Sequence, residues 1–176
     1  MTDEELRLLG NVAGKRVLQL GCANAAPAIS LAGNGAHVIA VVPDPDEQDR
    51  ARRAVEDAEA KVELHAGDVA DLAFIRADTI DAAFSDSTLR RVDDLDRVFR
   101  QVHRVLRTDG PLVVALPHPA GDVEGRSYFD RSANRRTIGD LFASLTRAHF
   151  VVDTLLEPEM GPIPRRLVLR GRKLGN

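Results

Sequence analysis

Two places in this chain of 176 residues set side chains or open backbone where chemistry needs them. The first is Arg16-Val-Leu-Gln-Leu-Gly21-Cys-Ala-Asn-Ala-Ala-Pro27-Ala-Ile-Ser-Leu-Ala32. A short apolar run meets Gly21, small residues follow, and a helix-like segment opens near Ala25. Such a turn leaves backbone N–H groups uncovered at a strand tip, where nucleotide-like ligands approach the main chain. The second is His118, between Pro117 and Pro119 at the end of another apolar run. An imidazole there can take a proton from an acceptor oxygen or nitrogen; the competing reading is a loop histidine held by two prolines. Cys22 has no histidine close in sequence to activate it and reads as a packing residue. His37, His65, His103 and His149 are scattered, without metal-ligand spacing, so no metal site is expected. His103 reads as a surface residue. Tyr128-Phe129, near Arg126 and Arg131, reads as an apolar plug for its loop in preference to a lid.

The elements that must position these residues follow from apolar patterning. Residues 1–14 form a leader, with a short helix from Asp3 to Val12 capped by Thr2 or Asp3. Strands are expected at Val17–Leu20, His37–Val42, Lys61–Ala66, Ile80–Phe84 and Pro111–Pro117, the last fully apolar and so central. Helices are expected after Asp46, with Gln48, Ala51, Val55 and Ala58 inward, and after Asp93-Asp94. In the latter, Leu95, Val98, Phe99, Val102, Val105 and Leu106 form one stripe, with Asp96/Arg100 paired outside. Residues 118–136 form a long loop, a length that is usually functional or disordered. Thr137 caps a last helix with Ile138, Leu141, Phe142 and Leu145 inward. Two closing strands, His149–Leu156 and Arg165–Arg170, are antiparallel. Repeated strand–helix alternation then an antiparallel pair means an α/β sheet covered on both faces.

Hydrophobic residues make up 44% and charged residues 29%, and the length suits a single domain spanning 1–176. A formal net charge of -3 offers no electrostatic case for nucleic acid or an anionic membrane. One cysteine and no long apolar run lead to the expectation of a cytoplasmic protein without membrane partner.

The turn after Leu20 is a poor copy of a dinucleotide fingerprint, whose three glycine positions here read Gly21, Ala23 and Ala26. It is more similar to the first motif of the class I S-adenosylmethionine-dependent methyltransferases, where an acidic residue precedes a Gly-x-Gly-x-Gly turn. Those positions read Gln19, Gly21, Ala23 and Ala25. Three further stretches carry the resemblance: Asp78-Thr-Ile-Asp-Ala-Ala-Phe-Ser85, Val92-Asp-Asp-Leu-Asp-Arg-Val-Phe-Arg-Gln-Val-His-Arg-Val-Leu-Arg107 and Gly110-Pro-Leu-Val-Val-Ala-Leu-Pro-His-Pro119. They resemble the type 11 branch of that family, with Thr108-Asp109-Gly110 in place of its Pro-Gly-Gly turn. The resemblance implies a three-layer α/β sandwich with a mostly parallel seven-stranded sheet, last strand antiparallel, and S-adenosylmethionine as cofactor. It places Leu20, Gly21, Cys22 and Ala23 against the methionine and ribose part. It places Val42 and Pro43 at the ribose, Asp68 and Val69 at the adenine, and Ser85 on the methyl-transfer face.

The departures fall on the ligand site. Val42 stands where the family holds ribose with an acid, a loss of roughly 1.5–3 kcal/mol of hydrogen bonding. Asp44 compensates only if its loop bends back. Ala23 and Ala25 add methyl groups where the backbone must come close, at about 1–2 kcal/mol each if φ must be positive. The leading expectation is methyl transfer to a small-molecule acceptor with weakened cofactor binding. The alternative is a catalytically inactive binding or scaffold module on the same fold, and a nicotinamide-dependent enzyme ranks third.

Overall fold

The computed structural model describes residues 1–121, 127–158 and 161–175. The chain runs α1 (Asp3–Arg7), β1 (Arg16–Leu20), α2 (Ala26–Gly33), β2 (His37–Val42), α3 (Pro45–Asp57), β3 (Val62–Ala66) and β4 (Ala82–Asp86). It continues through α4 (Leu95–Val105), β5 (Pro111–Pro117), α5 (Ile138–Arg147), β6 (Phe150–Leu156) and β7 (Arg166–Lys173). The strands form one seven-stranded sheet in the order β3-β2-β1-β4-β5-β7-β6. Pairs from β3 through β5 are parallel, and β7 is antiparallel to both β5 and β6. The tips of β1 to β5 therefore gather along one edge.

Alternation along β1 sorts the core into layers. Leu18 and Leu20 join Phe99, Val102 and Leu145, so α4 and α5 cover one face. Val17 joins Leu6, Ala28 and Leu31, putting α1 and α2 on the other face. A third cluster seats α3 through Ala51 and Val55 against Ala40 and Val42. Every helix start except that of α2, whose cap position is Ala25, is fixed by a polar cap worth about 1 kcal/mol. Asp44 accepts from the Glu47 N–H, Asp94 from the Arg97 N–H, and Thr137 and Asp140 form a reciprocal box. Asp96, expected to pair with Arg100, takes a forked contact from Arg147 at 2.8 and 2.9 Å, binding α4 to α5.

Several boundaries differ from expectation for local reasons. Helix α1 stops at Arg7 instead of Val12 because the chain turns back through Gly10 at φ +78°, while Leu9 and Val12 stay buried. The cap of α3 is Asp44, not Asp46, so Glu47, Ala51 and Val55 face inward in place of Gln48. Strand β4 begins two residues late, because Ile80 makes only an isolated bridge to Leu106. Phe142, expected inward, is 50% exposed. Arg126 lies outside the described residues.

His103 is partly buried instead of lying on the surface. Its Nε2 has no hydrogen-bond partner among the described residues, and its ring meets Phe150 edge-on, 5.5 Å between centroids. Burial, then the Lys173 ammonium and His149, hold its pKa below the ordinary histidine value, with Asp78 opposing. The folded protein thus prefers the neutral ring. That contribution is complete above about pH 6.5, the unfolded value, and is lost as pH falls through the lower folded value. The urea midpoint of the parent chain should drop between about pH 7 and pH 5.5, and that of His103→Gln should drop less.

Candidate functional site

The site begins where β1 ends. The Gly21 N–H donates to the Val41 carbonyl at 2.8 Å, and the residue takes φ +79°. A Cβ there would sit 1.8 Å from Thr88 Oγ1 and 2.4 Å from Thr88 Cβ. Glycine is thus demanded twice, by handedness and by close approach. Ala23 and Ala25 are a different matter. Neither has a positive φ, and Ala25 is right-handed at φ -75°, ψ -12°, so the strain that sequence reasoning allowed for does not arise.

Four of the residues assigned to the cofactor lie beneath the turn. Leu20 and Ser85 are fully buried, and the Ser85 hydroxyl donates to the Leu20 carbonyl at 2.9 Å, tying β4 to β1. Cys22 and Val42 share an apolar cluster with Ala25, Ala40, Ala51 and Val55. Burial, helped by the Glu47 carboxylate, pushes the Cys22 thiol up to about 11, so it stays protonated and inert near neutrality. Gln19 is buried on the same strand, and its Oε1 has no partner among the described residues.

Above the turn a cleft of about 510 Å³ opens along the tips of β2, β3 and β4. That volume falls within the roughly 300–1,000 Å³ usual for small-molecule sites. Pro43, Asp68 and Val69 line it. So do Thr88, Glu47 and Arg91, which sequence reasoning missed. The signal for Glu47 was legible: it lies four residues before Ala51 and eight before Val55, a carboxylate on a buried stripe. It is 5% exposed and accepts from Arg91 Nη1 at 3.0 Å. Asp44, also in the wall, is committed to capping α3. Asp68 Oδ1 likewise accepts from the Ala70 N–H at 2.8 Å. Neither Gln19 nor the Gly21 turn, whose open side Thr88 fills, lines this cleft; its size and its place at three strand tips are what suit an adenosyl amino acid.

A second, smaller cavity of about 50 Å³ lies beyond β5, bordered by Leu89, Leu116, His118, Tyr128, Arg136 and Leu141. His118 is buried, and both ring nitrogens are engaged. Nδ1 accepts from the Ala120 N–H at 3.0 Å, so Nε2 carries the proton and donates to Glu157 Oε1 at 2.7 Å. The Tyr128 hydroxyl accepts from the Ile138 N–H at 3.0 Å, pinning the loop to the start of α5. Phe129 beside it is 71% exposed, so the plug is Tyr128 alone.

Residues 18–114 match the family model described as "Methyltransferase domain". Among curated proteins, 27-O-demethylrifamycin SV methyltransferase of Amycolatopsis mediterranei (strain S699) is 29% identical over 168 residues. The match takes in 90% of this chain and 60% of the relative, so the chain spans less than two thirds of that protein's length. The fold recurs in an S-adenosylmethionine-dependent methyltransferase from Mesorhizobium loti, at TM-score 0.80 and 24% identity over 97% of this chain and 96% of that one. It recurs in geranyl diphosphate C-methyltransferase from Streptomyces coelicolor A3(2), solved with geranyl diphosphate and S-adenosyl-L-homocysteine. There the TM-score is 0.83, with 12% identity over 98% of this chain and 78% of that one.

Gly21→Ala should lower folding stability by more than the roughly 1–2 kcal/mol that left-handed backbone costs an L-residue, because Thr88 must also move. Adding Thr88→Gly should recover the steric part and leave the backbone part. Urea unfolding of the parent, both single variants and the double variant should show that coupling.

Proposed function

The chain belongs to the methyltransferase-domain family, whose cofactor is S-adenosylmethionine, and from that premise we propose that it methylates a small-molecule acceptor. The proposal treats residues 1–176 as one catalytic domain, with neither nucleic acid nor membrane as partner. The cleft of about 510 Å³ at the strand tips is the observation that carries it. Pro43, Asp68 and Val69 would hold the adenosine end, and Gly21 with Ala23 the amino-acid end. The bound cofactor supplies an electrophilic methyl group on sulfur. The chain's own part is then mainly orientation, aligning the acceptor lone pair with that methyl and keeping water away. His118 is the candidate base at the acceptor end: its Nε2–H stays on the Glu157 carboxylate, and Nδ1, once released by the Ala120 N–H, would take the acceptor proton to give an imidazolium paired with that carboxylate. The names of the two relatives, for a rifamycin and a geranyl diphosphate, support an acceptor of small size.

Val42 favours low cofactor affinity, since its side chain belongs to the core and offers nothing to ribose hydroxyls. The same residue is what favours the second reading, an inactive module that has lost the cofactor. Thermal melting separates the two. S-adenosylhomocysteine at about 100 times its dissociation constant should stabilise the chain by about 2.7 kcal/mol. No shift at millimolar ligand would favour the inactive module. His118→Asn should reduce methyl transfer to an identified acceptor about 10²- to 10⁴-fold and leave S-adenosylhomocysteine affinity unchanged.

A further inference from the structure

We infer that Glu47 takes over the place left empty at Val42, its carboxylate receiving the ribose hydroxyls of the cofactor, with Arg91 as its partner when the cleft is free. The inference rests on the cofactor reading above. Five carboxylates line the cleft, and their partners distinguish them: Asp93 and Asp94 are exposed, the first accepting from the Asn134 side chain at 2.6 Å and the second capping α4. Asp44 is held by the backbone N–H of residue 47 and Asp68 by that of residue 70, both within the turns they stabilise. The carboxylate of Glu47 receives no backbone donor among the described residues; its contact is the guanidinium of Arg91, whose side chain is 75% exposed.

Burying a carboxylate against so exposed a partner is costly unless something else uses it. An apolar residue would serve this stripe better, since Ala51 and Val55 follow it into the core. Its position suits the role. Glu47 stands on the first turn of α3, just past the tip of β2 where ribose would lie. Its charge is felt at Cys22, the residue after Gly21, so it lies near the tip of β1. A vicinal diol there would meet an ionised acceptor, and Arg91 can swing into solvent at little cost because it is already mostly there.

The test is calorimetric binding of S-adenosylhomocysteine and of 5′-methylthioadenosine, which keeps the ribose and lacks the amino-acid end. Glu47→Gln should weaken both by the same factor, about 10- to 100-fold. Arg91→Ala should bind both at least as tightly as the parent. It folds independently of the Glu47 replacement because it alters an exposed side chain. Equal affinity of Glu47→Gln and parent, or a loss confined to S-adenosylhomocysteine, would overturn the assignment. A loss in Arg91→Ala matching that in Glu47→Gln would also overturn it, making the pair a structural tie. Failure of the parent chain to bind either compound would instead remove the cofactor reading itself.

Discussion

Gly21 can leave β1 in only one way, and the rest of the edge is arranged around that exit. Its N–H reaches across to Val41 on β2, and its missing Cβ admits the side chain of Thr88 from the segment after β4. Three strands are thereby held at one height. The Ser85 hydroxyl on the Leu20 carbonyl repeats the tie one layer down. Because β1, β2 and β4 run parallel, these contacts bring three loops together, and the Arg91–Glu47 ion pair adds a tie between two of them. A cleft follows from the geometry of the strand ends, before any side chain in it is considered.

The polar groups of that edge obey a stricter condition. A carboxylate at a strand tip is stable only if something donates to it, and the local turns provide donors for Asp44 and Asp68. Val42 escapes the condition by joining the core, and Cys22 escapes it by keeping its proton. Glu47 does neither, and relies on a guanidinium that water surrounds. A site can thus lose its acid from one position of the backbone while keeping negative charge in the cleft.

Much of this was legible in the sequence where periodicity and chemistry agreed. The apolar runs at Val17, His37 and Pro111 became β1, β2 and β5, and Thr137 with Asp140 marked the start of α5. The errors came where two registers competed. Taking Asp46 as the cap instead of Asp44 moved the inward stripe of α3 from Glu47 to Gln48, and hid the one buried acid of the cleft. Reading Ala23 and Ala25 as strained assumed that a turn built from glycines needs each one's left-handed conformation. Here only Gly21 uses it. Nothing in the order of residues announced that Thr88 would fill the space above Gly21, since that contact joins segments far apart in the chain.

The short 3₁₀ turn Thr88–Arg91 decides how the two clefts relate. Thr88 and Arg91 face the larger cleft, while Leu89 and Arg90 line the smaller cavity beside His118. One turn of backbone is therefore the wall between the two spaces. It is entered through Ser87 at φ +64°, a left-handed conformation that costs a non-glycine residue about 1–2 kcal/mol. The cost is offset locally: the Ser87 N–H donates to the Ala115 carbonyl at 2.8 Å, and its hydroxyl donates to Asp86 at 3.1 Å. A wall fastened at its entrance to β5 and at Thr88 to β1 has little freedom to slide.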